Sequence, residues 1–181
     1  MEEFRINKDF NMEDKSKMLV DGLMQAIKAE RDGYSFYMMA AKGSDDPKGQ
    51  EVFETLAHEE MEHMHFLRQQ YESILKTGKP NLAIKLGNKT SLSDMSPIFS
   101  DKIKSRIKDA HIEMSALSIG IQLELDAINF YKSQANAVDD PDIREFYSEL
   151  AEWERGHYHA LLKQQEELKE DYWSAGGFSP F

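Results

Sequence analysis

An internal repeat at an offset of 94 residues constrains the fold of this chain more than any other feature. Without gaps, 17 of the 45 positions from Leu23 to Leu67 are identical to their partners from Leu117 to Leu161. Both copies contain Asp-Asp-Pro, Leu-Ala and Glu-x-x-His in the same order. Self-similarity of this kind indicates that one structural unit occurs twice.

Apolar periodicity identifies each unit as a pair of helices. Apolar residues recur at intervals of three and four, the spacing of one helix face, over about residues 15–42, 47–77, 112–137 and 141–171. Asp-Asp-Pro precedes the second and fourth of these runs and is typical of an N-cap with proline in the first turn. The sequence therefore predicts an all-α fold, an antiparallel four-helix bundle made of two repeated helical hairpins.

The remaining segments are irregular or polar. Residues 1–14 are polar and aperiodic, and we interpret them as an N-terminal arm preceding a single domain at 15–171. Residues 78–111 are rich in Gly, Asn and Ser, and we expect a long crossover that joins the hairpins. Residues 172–181 form an aromatic tail, which we expect to pack against the body or a neighbouring subunit.

Composition excludes several classes of function. A net charge of −11 and a pI near 5.0 argue against binding to nucleic acid or to an anionic membrane. The absence of cysteine excludes disulfides, thiolate catalysis, zinc fingers and iron–sulfur sites. No secretory signal and no apolar run long enough to span a bilayer is visible, so we expect a cytoplasmic protein.

The Glu-x-x-His motif is the strongest candidate for a functional site. Residues three apart share a helix face, so a Glu-x-x-His pair can reach one point. A single pair arises easily by chance in a helix rich in Glu and His, but here the repeat places two pairs in register and adds a glutamate on each partner helix. Ferritin-like bundles hold two metal ions with this combination. The predicted metal ligands are Glu30, Glu60, His63, Glu124, Glu154 and His157.

Two metal ions roughly 3.5–4 Å apart repel each other and need several anionic ligands. Four carboxylates can bridge or cap such a pair, and one neutral imidazole can complete the ligands of each ion. This oxygen-rich set suits iron, with manganese as the alternative. The alternative is that these glutamates lie on a solvated helix face without a functional role, as most glutamates do.

Tyrosines are candidates for hydrogen bonds to the ligands. Tyr37 and Tyr131 follow their glutamates by seven residues on the same face and could bind a ligand carboxylate, or they could be ordinary core aromatics. Tyr34 is a weaker candidate because its repeat partner is Ile128. We expect the other polar repeats and histidines to be structural or solvated. These are Asp32 and Asp126 (capping or interhelical contacts), His58, His65, His111 and His159, and Glu59, Glu62 and Glu152.

The chain resembles the rubrerythrin-like branch of the ferritin-like superfamily. The resemblance rests on Glu-x6-Tyr followed by Asp-Asp-Pro, Leu-Ala and Glu-x-x-His in both copies. It implies a four-helix bundle with a crossover after the second helix, a non-heme di-iron site and a homodimer. Typical members also carry a cysteine-rich rubredoxin-like domain, and an extra glutamate where this chain has Ala127. We therefore expect electrons to come from an external donor.

Three functions are compatible with these features. The first is an oxidoreductase that uses two iron ions to reduce peroxide or dioxygen, as in the response to oxidative stress. The second is an iron-binding or ferroxidase storage protein of the ferritin type. The third is a structural bundle with a vestigial site, against which the complete set of predicted ligands argues. The first is favoured, because the repeat and the long crossover are unlike a cage-forming ferritin.

Overall fold

The computed structural model describes the backbone of residues 2–86 and 111–175, and the side chains of residues 17–86, 111–171 and 173. Within these ranges the chain forms four helices, which we label α1 (Glu2–Gly43), α2 (Pro47–Thr77), α3 (His111–Ala137) and α4 (Pro141–Ala175). Helix α1 packs along α2, α3 packs along α4, and α1 also contacts α3. The fold is therefore the expected all-α bundle of two hairpins. None of the helices described is both long and apolar enough to cross a membrane.

Matching caps begin the second helix of each hairpin. The carboxylate of Asp46 accepts a hydrogen bond from the backbone N–H of Gly49 at 3.1 Å, and proline occupies the first turn of α2. The carboxylate of Asp140 accepts from the N–H groups of Asp142 and Ile143 at the start of α4. Both carboxylates satisfy backbone donors that have no partner inside the helix. The N-caps predicted from Asp-Asp-Pro are thus present in both copies.

Some segment boundaries differ from the prediction. Helix α1 begins at Glu2 and not near residue 15, so the segment interpreted as an N-terminal arm is helical over residues 2–14. These residues are too polar for an apolar period to be detected, but they contain no proline or glycine that would interrupt a helix. Helix α4 likewise continues to Ala175, into the predicted tail. Most of the predicted crossover, at 87–110, and the end of the tail, at 176–181, lie outside the described residues.

Two apolar clusters, related by the repeat, fill the two halves of the bundle. One contains Phe53, Leu56, Leu117 and Leu161, and the other contains their repeat partners Tyr147, Leu150, Leu23 and Leu67. Helix α1 contributes Leu23 to one cluster and Tyr37 to the other, and Glu30 lies between these two positions. The fold therefore places the predicted metal ligands midway along the bundle, with apolar core on both sides.

Candidate metal centre

The structure brings all the predicted metal ligands together in the middle of the bundle. Each is buried, with less than 5% of its surface exposed: Glu30, Glu60, His63, Glu124, Glu154 and His157. Their ligand atoms form two groups, in each of which the atoms lie within 4.8 Å of one another. One group consists of Glu30, Glu60 and His63, and the other of Glu60, Glu124, Glu154 and His157. Glu60 belongs to both, as expected of a carboxylate that bridges two ions.

The two histidines present the same ring nitrogen to the carboxylates. His63 Nδ1 lies 3.3 Å from Glu30 Oε2 and 3.2 Å from Glu154 Oε1. His157 Nδ1 lies 3.3 Å from the other oxygen of Glu154 and 3.7 Å from Glu124 Oε2. The rings are nearly parallel, with centroids 5.5 Å apart. Glu154 therefore faces both histidines with one oxygen each, so it is a second candidate for a bridging ligand.

Several buried atoms of this cluster have no hydrogen-bond partner among the described residues. They are both carboxylate oxygens of Glu154, Nδ1 of His157 and Nε2 of His63. Ion pairs that are buried without hydrogen bonds to these atoms are costly, and buried charged groups in proteins are normally hydrogen-bonded or bound to metal. The orphaned oxygens and Nδ1 point into a set of O and N donors that suits a hard or borderline cation. The residues present therefore fit a metal site.

Electrostatics oppose full ionisation of the carboxylates in the metal-free cluster. Burial, reinforced by the neighbouring carboxylate of Glu30, raises the pKa of Glu60 well above its usual value. Burial also raises the pKa of Glu124, and nearby His157 offsets only part of that effect, so the pKa is about 7. Divalent cations would remove this repulsion by supplying positive charge between the carboxylates.

Protons on the histidines partly replace that missing positive charge. Burial alone would lower the pKa of His63, but Glu154 and Glu30 outweigh it and raise the pKa to about 10. The pKa of His157 is raised for the same reason, chiefly by Glu124. Burial alone would raise the pKa of Glu154, but His63 and His157 hold it below its usual value. Metal ions that bind here must therefore displace protons from the imidazoles.

The two predicted tyrosine partners hydrogen-bond the ligands crosswise between the copies. Tyr37 donates to Glu124 Oε1, and Tyr131 donates to Glu30 Oε1. Both phenols are fully buried, and burial followed by the adjacent carboxylate raises the pKa of each well above its usual value. They remain neutral donors that hold one oxygen of each glutamate. Tyr34 instead is half-buried against the apolar cluster of Tyr37, and no described contact joins it to the metal ligands.

Glu59 was expected on the solvated face, and this expectation is wrong. Its side chain is only 2% exposed, and its Oε2 lies 2.5 Å from Nε2 of His157. One residue before Glu60 corresponds to a rotation of about 100° around the helix, which turns Glu59 toward α4. The repeat gives no signal for it, because the equivalent position is Trp153. The Trp153 ring packs edge-on against His63, with centroids 5.3 Å apart.

The other polar residues near the motif are exposed, as expected for the histidines. His58 pairs with Glu62 at 3.5 Å, and Glu152 pairs with Arg155 at 3.0 Å. His65 bonds Gln69 one turn along the same helix. The remaining exposed histidines are His111 and His159. None of these side chains belongs to either ligand group of the described residues.

Asp32 and Asp126 make contacts within their own helices, so the expectation of helix caps or interhelical contacts is wrong. Asp32 lies 3.5 Å from Arg31, and Asp126 accepts a hydrogen bond from Gln122 at 2.8 Å. Both line a cavity of about 310 Å³ between α1 and α3. The inner wall of the cavity includes Glu60. The two aspartates are exposed, so the cavity extends from the surface of the protein to the buried cluster.

Small residues create this space beside the ligands. The cavity is also lined by Gly33 and its repeat partner Ala127. A Cβ atom at Gly33 would lie 3.2 Å from the carboxyl carbon of Glu60, closer than comfortable contact. Gly33 was not predicted as a site residue, although a small residue at the same position of both copies was a visible signal. Ala127 contributes no carboxylate to the cluster.

Comparison with known families agrees with the repeat and the ligand geometry. A family model described as rubrerythrin matches residues 21–114 and 115–175. The two matched segments begin 94 residues apart, which is the offset of the internal repeat. No curated protein and no solved structure matches the chain significantly. The family match covers most of the length of the chain, and the chain therefore belongs to the rubrerythrin family.

Proposed function

We propose that this chain binds two iron ions at the buried cluster and acts as a rubrerythrin-like oxidoreductase. The substrate would be peroxide or dioxygen, and the electrons would come from an external donor. One observation carries the proposal: the six predicted ligands form two groups that share Glu60 and leave buried donor atoms without partners. Family membership supports iron as the metal, and manganese is the alternative that the same ligands would accept.

Each ion would have one histidine and at least two carboxylates. Glu30, Glu60 and His63 would hold one ion, and the remaining group, with Glu60 shared, would hold the second. When bound, a pair of ferrous ions supplies the two electrons that, with two protons, convert hydrogen peroxide into two molecules of water. The tyrosines would restrain the outer carboxylates by keeping one oxygen of each in a hydrogen bond.

The cavity between α1 and α3 supports access by a small oxidant. Its volume of about 310 Å³ accommodates peroxide or dioxygen with several waters, and it reaches the inner carboxylates directly. Ala127 stands where typical members carry an extra glutamate, so its methyl group leaves the space beside the ligands open. The reaction would therefore use six protein ligands and not a seventh that moves during turnover.

A ferroxidase of the storage type is the second candidate. Asp32 and Asp126, on opposite helices at the rim of the cavity, would attract Fe²⁺ toward the cluster. In that case iron would be the substrate that passes through the site. The same ligands would then bind iron transiently, and the protein would assemble into a cage, whereas we expect a homodimer for the oxidoreductase.

Rapid mixing of the diferrous protein with oxidant separates the two functions. Anaerobically loaded protein is mixed with hydrogen peroxide or with dioxygen, and formation of the ferric state is followed by absorbance. Either form of the oxidoreductase requires a small oligomer on size-exclusion chromatography, and its peroxidase form also requires faster oxidation by peroxide than by dioxygen. Repeated uptake of added Fe²⁺ with dioxygen by a very large assembly would favour the ferroxidase. Oxidation by peroxide no faster than by dioxygen would reject the peroxidase form of the proposal.

A further inference from the structure

We propose that Glu59 makes the two metal positions unequal, so that the first ion binds at the position of His157. Glu59 acts as a positioning residue through His157 and does not itself bind metal. The inference rests on the metal binding proposed above, which it extends from the number of ions to their order of binding. The supporting observation is that His63 and His157, which are equivalent in the repeat, have different neighbours.

The contact between Glu59 and His157 fixes the ring of His157. The carboxylate oxygen lies 2.5 Å from Nε2, so Nε2 carries the proton and donates it. With Nε2 held as the donor, Nδ1 is the nitrogen that would lose its proton to a metal ion and bind that ion, on the side facing Glu154 and Glu124. A carboxylate behind a metal-binding imidazole selects its tautomer, holds its orientation and increases its basicity. Since Glu59 is only 2% exposed, water screens this effect little.

Among the residues that the structure describes, no carboxylate bonds the corresponding nitrogen of His63. Its Nε2 is buried and makes no hydrogen bond with any residue that the structure describes. The position equivalent to Glu59 is occupied by Trp153, whose ring meets the His63 ring at 82°. Aromatic packing restrains the orientation of His63, but it adds no negative charge. The repeat therefore differs at the position that gives His157, and not His63, a carboxylate behind its ring.

The asymmetry lies in Glu59 and not in the number of carboxylates that face each histidine. Glu60, Glu124 and Glu154 surround His157, and Glu30, Glu60 and the other oxygen of Glu154 surround His63. Glu59 adds a further negative charge next to the first group only. A divalent cation therefore gains more electrostatic stabilisation at the His157 position, and the second ion enters a site whose shared Glu60 is already engaged.

Stepwise binding of Co²⁺ to the metal-free protein tests the inference. Anaerobic calorimetry gives the two affinities, and visible absorption of Co²⁺ reports the ligands of each step. We expect two unequal steps in the wild type. Glu59→Gln should weaken the tighter step by roughly 10- to 100-fold and leave the weaker step unchanged. Glu62→Gln, which changes an exposed carboxylate on the same helix, is the matched control and should alter neither step.

Further readouts distinguish positioning from loss of structure. The ¹⁵N shifts of the His157 ring should show the Nε2–H tautomer in the zinc-loaded wild type and a weaker hydrogen bond in Glu59→Gln. If Glu59→Gln does not fold, Glu59→Asp, which keeps the charge on a shorter side chain, should show a smaller loss at the same step. Two equal steps in the wild type, or equal weakening of both steps by Glu59→Gln, would overturn the inference while leaving metal binding intact. No binding of Co²⁺, Zn²⁺ or Fe²⁺ to the wild type would overturn the proposed function as well.

Discussion

Tyr37 on α1 donates its phenolic hydrogen bond to Glu124 on α3, across the boundary between the two copies of the repeat. The equivalent pair, Tyr131 with Glu30, crosses the same boundary in the opposite direction. Each hairpin therefore restrains a ligand of the other hairpin. This exchange couples the geometry of the cluster to the packing of α1 against α3, where the described contact between hairpins is concentrated.

Removal of either phenol should destabilise the metal-free fold. Tyr37→Phe leaves a buried oxygen of Glu124 without its donor, which costs roughly 1–3 kcal/mol in the free energy of unfolding. The measurement is urea denaturation in the presence of a chelator. Tyr34→Phe is the control, because Tyr34 lies one turn away on the same helix without a described contact to the ligands. Equal losses for the two variants would contradict the assignment of the hydrogen bond.

The stability of the metal-free protein should fall as the pH rises above neutrality. The pKa of His63 is about 10, because Glu154 and Glu30 outweigh the effect of burial. A raised imidazole pKa stabilises the fold fully below the unfolded pKa of about 6.5, and this contribution is lost as the pH rises through the folded value. We therefore expect the melting temperature to decrease from about pH 7 to pH 10.

Thermal melts followed by circular dichroism check this dependence. Metal-loaded protein is the control, because its imidazoles are already deprotonated at neutral pH. Its melting temperature should change less over the same interval. A metal-free melting temperature that stays constant or rises with pH would show that His63 is not held as an imidazolium.

Gly33 should matter for metal binding more than for folding. Gly33→Ala places a methyl group 3.2 Å from the carboxyl carbon of Glu60, which must then shift. Because Glu60 belongs to both ligand groups, we expect both metal affinities to fall, by roughly tenfold. Calorimetric titration with Co²⁺ measures the change.

Gly156→Ala provides a control on α4. A Cβ atom there meets nothing within 4 Å, so the substitution should leave metal affinity unchanged. It should raise the free energy of unfolding by roughly 0.5–1 kcal/mol, because alanine favours the helix. Similar metal affinities for the two variants would show that Glu60 tolerates the added methyl group.

The cavity can be closed without changing a metal ligand. Ala127→Leu places a larger apolar side chain in the space between α1 and α3. We expect metal loading to stay at the wild-type level while oxidation of the diferrous protein by peroxide becomes slower. Rapid-mixing absorbance gives the rate and metal analysis gives the loading. An unchanged oxidation rate would show that the oxidant reaches the cluster by another route.

The helices and the clustering of the buried Glu and His residues could be predicted because local rules and the repeat agree. The apolar period predicted the helices of both hairpins, and Asp-Asp-Pro predicted the caps at Asp46 and Asp140. The repeat identified which Glu-x-x-His pair belongs to the buried cluster in a helix that is rich in both residues. The start of α1 was predicted too late, near residue 15, because a polar helix without an apolar stripe has no period to detect. Its helical backbone follows from the absence of interrupting residues.

Glu59 and the exchange of tyrosine partners could not be predicted from the repeat. The residue equivalent to Glu59 in the second copy is Trp153, so a search for identical residues in the two copies does not identify Glu59. Tyr37 shares a helix face with Glu30, but its partner depends on how close α1 approaches α3, a tertiary distance that periodicity does not contain. Both contacts arise from packing between hairpins, whereas the motifs describe single helices.

Iron content after anaerobic loading is the most direct measurement of the central claim. Metal-free protein is incubated with excess Fe²⁺, desalted without oxygen, and analysed for iron and protein. We predict two iron ions per wild-type chain. Glu60→Ala should retain at most one, because Glu60 belongs to both groups, and His65→Ala, which changes an exposed side chain, should retain two. Wild-type protein without bound iron, or equal loss of iron in both variants, would contradict the assignment of this cluster as a di-iron site.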